Sequence, residues 1–330
     1  MSNGMSKGSW RLGTNDGVEL HVERAGTGSA VPVLLINGVT MSTESWNQLG
    51  RLLQPERPVV RYDMRGQGAS DAPAGPYLRE RHARDLLGLL ADLAERGMTP
   101  LHVVALSNGG YVTQLLLGWL QRPELAEAAG LDEHELALLA EHRDSILSLT
   151  LLDTFAKADA RLQAAVRSWL GALASGGAAA RFDTATPWVW GPEFLAANAK
   201  ALAEARDLAA DHPQAAVSSL LNGLLASAAA EPDLSEALSG LDLPLLVAVG
   251  EDDVLTPVRN HREVLEQFGR DPDQVRLIPR AGHAAPIENP EGVAELVLPF
   301  LREHDLDASP SRSGATHGAT HGATRGVTDM

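Results

Sequence analysis

Residues 101–120 constrain this chain most. The run L-H-V-V-A-L reads as a buried strand, breaks at Ser107, and gives way to an apolar helix-like run from Tyr111 to Leu120. Small residues, Ala105 and Gly109, stand at both second neighbours of the serine. A serine on so sharp a strand-to-helix turn takes a strained backbone, and bulk two residues away would clash. The turn lifts the hydroxyl clear of the fold and aims the first amides of the next helix at whatever it attacks. An ordinary connection with a capping serine has the same local pattern, so the rest of the chain must decide.

Strand-like runs recur along the sequence. Val18 to Arg24 alternates with period two, as a half-exposed edge strand does. Val31 to Ile36, Pro58 to Tyr62, Ile146 to Leu152, Leu245 to Val249 and Val275 to Ile278 are apolar and short. Helical spacing fills Arg79 to Glu95, Val258 to Phe268 and Glu291 to Arg302. Strands alternating with helices predict an α/β fold built on a mostly parallel, twisted sheet. Ligands of such sheets bind beyond the carboxyl ends of the strands. Asn37-Gly38, Asp63, Ser107, Asp253 and His283 all follow strand ends.

Segments outside the alternation set the expected organisation. Residues 1–14 are expected to be a flexible N-terminus, and 15–153 with 242–303 the core. Residues 154–241, rich in Ala and Leu, are expected to form an inserted helical cap. Residues 304–330 end in a G-A-T-H repeat and are expected to be a disordered tail, whose His317 and His321 are poor candidates for a metal. Residues 121–144 are an acidic, helix-prone insertion whose His134 and His142 are expected at the surface.

Charge narrows the partners. With 27 basic and 43 acidic side chains the chain carries a net charge of −16, which opposes binding to nucleic acid or to an anionic membrane surface. It has no cysteine, which excludes disulfides, thiol catalysis and thiolate zinc sites. The first residues lack the apolar core of a secretory signal, and no apolar run approaches membrane-spanning length. The expectation is a cytoplasmic protein acting on a small molecule.

The partners of Ser107 lie far downstream. V-G-E-D-D-V-L-T-P closes a strand at Gly250 and offers Asp252 and Asp253 before Pro257. I-P-R-A-G-H-A-A-P-I-E-N-P follows the last strand and offers His283. Asp153, also at a strand end, is a further candidate carboxylate. Serine, acid and histidine in this chain order, each after a strand, are what an acyl-transfer triad on such a sheet requires. Histidine takes the serine proton and returns it to the leaving group, while the carboxylate fixes the tautomer.

These motifs resemble those of the α/β-hydrolase superfamily across roughly residues 15–303. R-Y-D-M-R-G-Q-G-A-S (61–70) is similar to its D-x-R-G-x-G-x-S turn. G-E-D-D-V-L-T-P is similar to its acid loop, which places the acid at Asp253, and G-H-A-A-P-I-E-N-P to its histidine loop. The resemblance implies an oxyanion hole from the amides of Asn108 and Val39, and a structural role for Asp63 and Arg65. Asn37 and Ala105 depart from the usual histidine and glycine, and neither removes a backbone donor. Local similarity also reaches 3-oxoadipate enol-lactonases, through G-P-Y at 75–77, and the 3-hydroxyacyl acyltransferases of rhamnolipid synthesis, through I-N-G-V.

The sequence therefore points to a serine hydrolase of esters, lactones or thioesters, with Ser107 as nucleophile, His283 as base and no cofactor. An acyltransferase, a cofactor-free haloperoxidase or C–C hydrolase, and a non-catalytic binding protein remain as alternatives on the same scaffold. Trp169, Trp188 and Trp190 are candidates to line a substrate pocket, as are Phe182 and Phe194. Arg161, Arg167 and Arg181 are unranked candidates to anchor an anionic substrate.

Overall fold

The computed structural model describes residues 8–210 and 213–305. The N-terminal residues 1–7 and the tail beyond 305, with its histidines, lie outside the described residues. The strands are β1 (Gly8–Gly13), β2 (Glu19–Ala25), β3 (Val33–Ile36), β4 (Val59–Tyr62), β5 (Leu101–Leu106), β6 (Ile146–Leu152), β7 (Leu245–Gly250) and β8 (Arg276–Ile278). They form one 8-stranded sheet in the order β1-β2-β4-β3-β5-β6-β7-β8. β1 and β2 run antiparallel to their neighbours, and the pairings from β4 to β8 are parallel.

Period-two alternation distributes the strand side chains to two cores. Leu34, Ile36, Val103 and Ala105 face the larger core, with α2 (Arg79–Glu95) and α3 (Asn108–Gln121) against it. Val33, Leu35, Val104 and Leu106 face the other, covered by α1 (Asn47–Leu53) and a long helix at 290–305. Strands buried on both faces read as continuous apolar runs, which is why they were legible.

Three expectations are corrected by the structure. Residues 8–13 are not a flexible leader: they form β1, whose Trp10 donates through Nε1 to Asp92 at 2.9 Å and lies under the Arg96 guanidinium at 4.4 Å. Consequently the Val18–Arg24 run is not at the edge, because β1 covers it. His134 is exposed as expected, but His142 is buried, at the end of a helix spanning Glu133–Glu141 that docks on α2 through the Arg84–Glu135 ion pair at 2.8 Å.

After β6 the chain leaves the sheet. In chain order the next helices after α3 are α4 (Pro123–Ala128), α5 (Glu133–Glu141) and α6 (Ala160–Val189), which is broken at Gly177. Then come α7 (Pro192–Ala197), α8 (Ala199–Ala210) and α9 (Gln214–Ala228). Helix α9 rests on the G-P-Y segment: Tyr77 N donates to the Ser219 carbonyl at 3.2 Å, and a Cβ on Gly223 would stand 1.9 Å from the Tyr77 carbonyl oxygen. The rest of the chain supplies α10 (Ser235–Leu238), α11 (Val258–Gln267), α12 (Ala285–Glu288) and α13 (Pro290–Asp305).

Candidate active site

Ser107 sits between β5 and α3 with φ 53 and ψ −122, a strained backbone for a non-glycine residue. The close approach that strain permits is visible at Gly109, where a Cβ would lie 2.3 Å from the Asn37 carbonyl oxygen. Gly110 is similarly hemmed in, 2.5 Å from Thr154 Oγ1. Ala105 is fully buried and meets no such limit, so a glycine is needed after the serine and not before it.

Ser107 Oγ lies 2.9 Å from His283 Nε2, and His283 Nδ1 lies 2.9 Å from Asp253 Oδ2. A carboxylate only accepts, so Nδ1 carries the proton and Nε2 is free to accept from the serine. Asp253 is itself pinned: Oδ1 accepts from the amides of Leu255 and Thr256, each at 2.8 Å, and Oδ2 from Thr256 Oγ1 at 2.8 Å. Burial pushes this carboxyl up, yet the His283 charge, its hydrogen bond and the Thr256 amide outweigh burial and hold it below the usual range.

The other carboxylates are elsewhere. Asp153 accepts from the amides of Gly250 at 2.8 Å and Ala285 at 3.1 Å, tying β6 to β7 and to the histidine loop. Its complete burial, with Asp253 close by, raises its carboxyl well above the ordinary value. Asp252 is half-buried and bonds through its amide to the Ala281 carbonyl. Asp63 accepts from the amides of Thr43 at 2.6 Å and Ala69 at 2.8 Å, and Arg65 pairs with Asp85 at 2.6 Å. Both hold loops and stand apart from the serine.

Val39 lies on the loop after β3. That loop is held by Gln67, which donates to the Gly38 carbonyl and accepts from the Met41 amide, both at 3.1 Å. The Val39 amide donates to no group among the described residues. The Asn108 amide opens α3, where helical amides have no intrahelical acceptor. Asn108 is further anchored by its side chain, whose Oδ1 accepts from Arg79 Nε at 2.9 Å. Arg79 is 1% exposed, stacks 4.3 Å over the Tyr111 ring and pairs with buried Glu231, which also accepts from the Ala158 amide. Nothing local in the sequence marks Arg79, Glu231, Gln67 or Thr256.

The α6 end grips the histidine loop. His283 N donates to the Val189 carbonyl at 2.8 Å, and Glu288 accepts from Gly191 N at 2.7 Å and Ala284 N at 3.1 Å. A cavity of about 420 Å³ opens between α6–α9 and the sheet, with Ser107, His283 and Val39 at its floor. Trp169 and Trp190 line it. Trp188 does not: it packs against the larger core with Arg161 at 5.5 Å over its ring, because it sits two positions before Trp190 and so points away from it. Phe182 is in the wall, and Phe194 stacks behind Trp190 at 4.9 Å. No group of His, Asp and Glu among the described residues could hold a metal ion, and none of their helices is long and apolar enough to cross a membrane.

Residues 33–296 match the Alpha/beta hydrolase family. The chain belongs to this family. It is an α/β-fold hydrolase. A Caulobacter segnis protein provisionally named the carbamate hydrolase RutD is 26% identical over 294 residues, covering 88% of this chain and 98% of that one. A thermophilic esterase from Thermogutta terrifontis, solved with malate bound, is 25% identical with a TM-score of 0.70, covering 90% of this chain and 99% of that one. An enol-lactonase from Burkholderia xenovorans LB400 shares the fold at a TM-score of 0.67 and 24% identity, covering 89% of this chain and 100% of that one.

Proposed function

We propose that the chain is a serine hydrolase that cleaves an ester, lactone or thioester of a largely apolar acid through an acyl-enzyme. The observation that carries this reading is the unbroken chain from Ser107 Oγ through His283 to Asp253, at 2.9 Å per link. In this mechanism Ser107 attacks the substrate carbonyl as His283 Nε2 takes its proton. The developing oxyanion is held by the amides of Val39 and Asn108. His283 then protonates the leaving group, and water repeats the sequence to free the acid. Asp253 keeps the imidazole oriented and stabilises the imidazolium.

Residues 154–241 act as the cap that selects the acyl chain, since their apolar side chains roof the cavity over Ser107. A relative named an esterase and a neighbour named an enol-lactonase support acyl chemistry as the reaction class. The test is labelling of the intact protein by a fluorophosphonate. One adduct at Ser107, lost in Ser107→Ala together with about 10⁶ in ester turnover, is the expected result. Labelling that persists in the alanine variant would remove Ser107 from the mechanism.

A further inference from the structure

Arg181, on the second half of α6, is an anomaly in the cavity wall. The cavity is lined by Leu162, Val166, Trp169, Phe182 and other apolar or uncharged groups, and Arg181 is the one Arg, Lys, Asp or Glu among its lining residues. It is 9% exposed, and its Nε is sealed from solvent with no hydrogen-bond partner. No ion pair reaches it from the described residues. The other buried arginines are all paired: Arg57 with Asp305, Arg61 with Glu23, Arg65 with Asp85, and Arg79 with Glu231. Of the three candidate anchors, Arg161 lies over Trp188 and Arg167 reaches Gln163 on an exposed surface. Only Arg181 faces the cavity.

A guanidinium stays charged at neutral pH, so its burial without a counter-ion is unfavourable. A ligand that brings an anion into the cavity supplies what the protein leaves out. A carboxylate matches the planar guanidinium fork in a way that other buried groups here do not. Position sets where that anion must lie. Arg181, Ala185 and Val189 recur at helical spacing along the cavity wall, and Val189 touches the His283 loop. Eight residues of helix span about 12 Å, so the arginine is anchored well away from the reacting carbonyl, up the apolar channel.

We propose that Arg181 reads a carboxylate at the far end of the substrate's acyl chain. The natural substrate is then an ester, lactone or thioester whose apolar acyl chain ends in an acid group, and hydrolysis releases a dicarboxylate. This rests on the serine-hydrolase reading for the reaction, but the anion site itself can be read without catalysis.

The test uses the full chain carrying Ser107→Ala, so that esters bind without being cleaved. Monomethyl suberate and dimethyl suberate are titrated, with tryptophan fluorescence as the signal because Trp169 and Trp190 line the cavity. Adipate and sebacate half-esters bracket the length. The anionic half-ester should bind at least about tenfold more tightly than the neutral diester, as hydrogen bonds to a charged partner imply. Adding Arg181→Met should abolish that preference while leaving diester binding intact, and should raise the melting temperature by removing an unpaired buried charge. The proposal is overturned if the diester binds as well as the half-ester before any cap substitution, a comparison that needs no folded Arg181 variant. It is also overturned if Arg181→Met weakens both ligands alike. Charge-selective binding by the Ser107→Ala chain, together with no fluorophosphonate adduct at Ser107 in the wild-type chain, would instead overturn the hydrolase reading and leave the anion site standing.

Discussion

Replacing Arg79 by methionine separates two roles that one side chain performs. Arg79 and Glu231 have side chains only 1% and 3% exposed, so the substitution leaves a buried carboxylate with the Ala158 amide as its remaining support, and takes the guanidinium off the Tyr111 and Phe155 rings. Breaking one side of a buried ion pair costs about 3–5 kcal/mol. In a chain of this size that lowers the melting temperature by roughly 4–7 °C. Arg79→Met with Glu231→Leu removes the orphaned charge and should recover most of the loss, since well-packed apolar replacements of such pairs are near neutral. The tether from Arg79 Nε to Asn108 Oδ1 is absent from both variants. If Asn108 supplies an oxyanion amide, its looser positioning should slow acylation by about tenfold in single and double variants alike. That is less than the roughly 10²–10³ of losing a donor outright. Thermal melts and the rate of fluorophosphonate labelling give the two readouts. The reasoning is refuted if the double variant regains its labelling rate along with its stability, or if it melts as low as the single variant.

Further outcomes follow from the same geometry. Asp253→Asn should cost about 10⁴ in turnover through the wrong histidine tautomer, whereas Asp153→Asn should act mainly on stability, because its carboxyl holds backbone amides; a milder effect for Asp253→Asn than for Asp153→Asn would reverse the assignment. Trp190→Ala should shift the acyl-chain preference measured as kcat/KM and Trp188→Ala should not, since only the former lines the cavity; each packed methylene contributes about 0.8 kcal/mol. Burial, aided by the Arg65 and Arg79 charges, holds His82 down to about 3, so below about pH 6.5 the unfolded chain binds a proton that the folded chain refuses. Stability from this group therefore falls on acidification, by up to about 1.4 kcal/mol per pH unit. The raised carboxyls of Asp85 and Asp153 act in the opposite sense, so the readout is the difference in melting between wild type and His82→Phe from pH 7 to 4.5, which should move toward the variant as pH falls; a constant difference would contradict it.

The parts of the fold that the sequence announced are those with local causes. Continuous apolar runs mark strands covered on both faces, and the turn at Ser107 requires small neighbours within two residues. β1 has no such local cause: G-S-W-R-L-G has glycine at both ends and only Trp10 and Leu12 as large apolar residues, and it is a strand because it pairs with β2. Arg79 carries no local mark either: Asn108 and Glu231 are 29 and 152 residues away in the chain. Arg161, Arg167 and Arg181 look alike in sequence, and only the path of α6 turns Arg181 inward. Trp188 and Trp190 differ by a fraction of a helical turn, which composition cannot resolve.

The grip of α6 on the histidine loop bears on how such a protein can diversify. Val189 and Gly191 are fastened to His283 and Glu288, and a Cβ on Gly282 would stand 2.6 Å from Gly191 N, so no residue can be added at this seam without moving the His283 imidazole. Beyond it the constraint relaxes: α7 and α8 expose most of their residues and, among the described residues, make no hydrogen bond to the sheet. Insertions that reshape the channel can accumulate between residues 192 and 210 while the seam stays fixed in length. On the proposed mechanism, a change of length at this seam would reach the imidazole of His283 directly, whereas one in α7 or α8 would not.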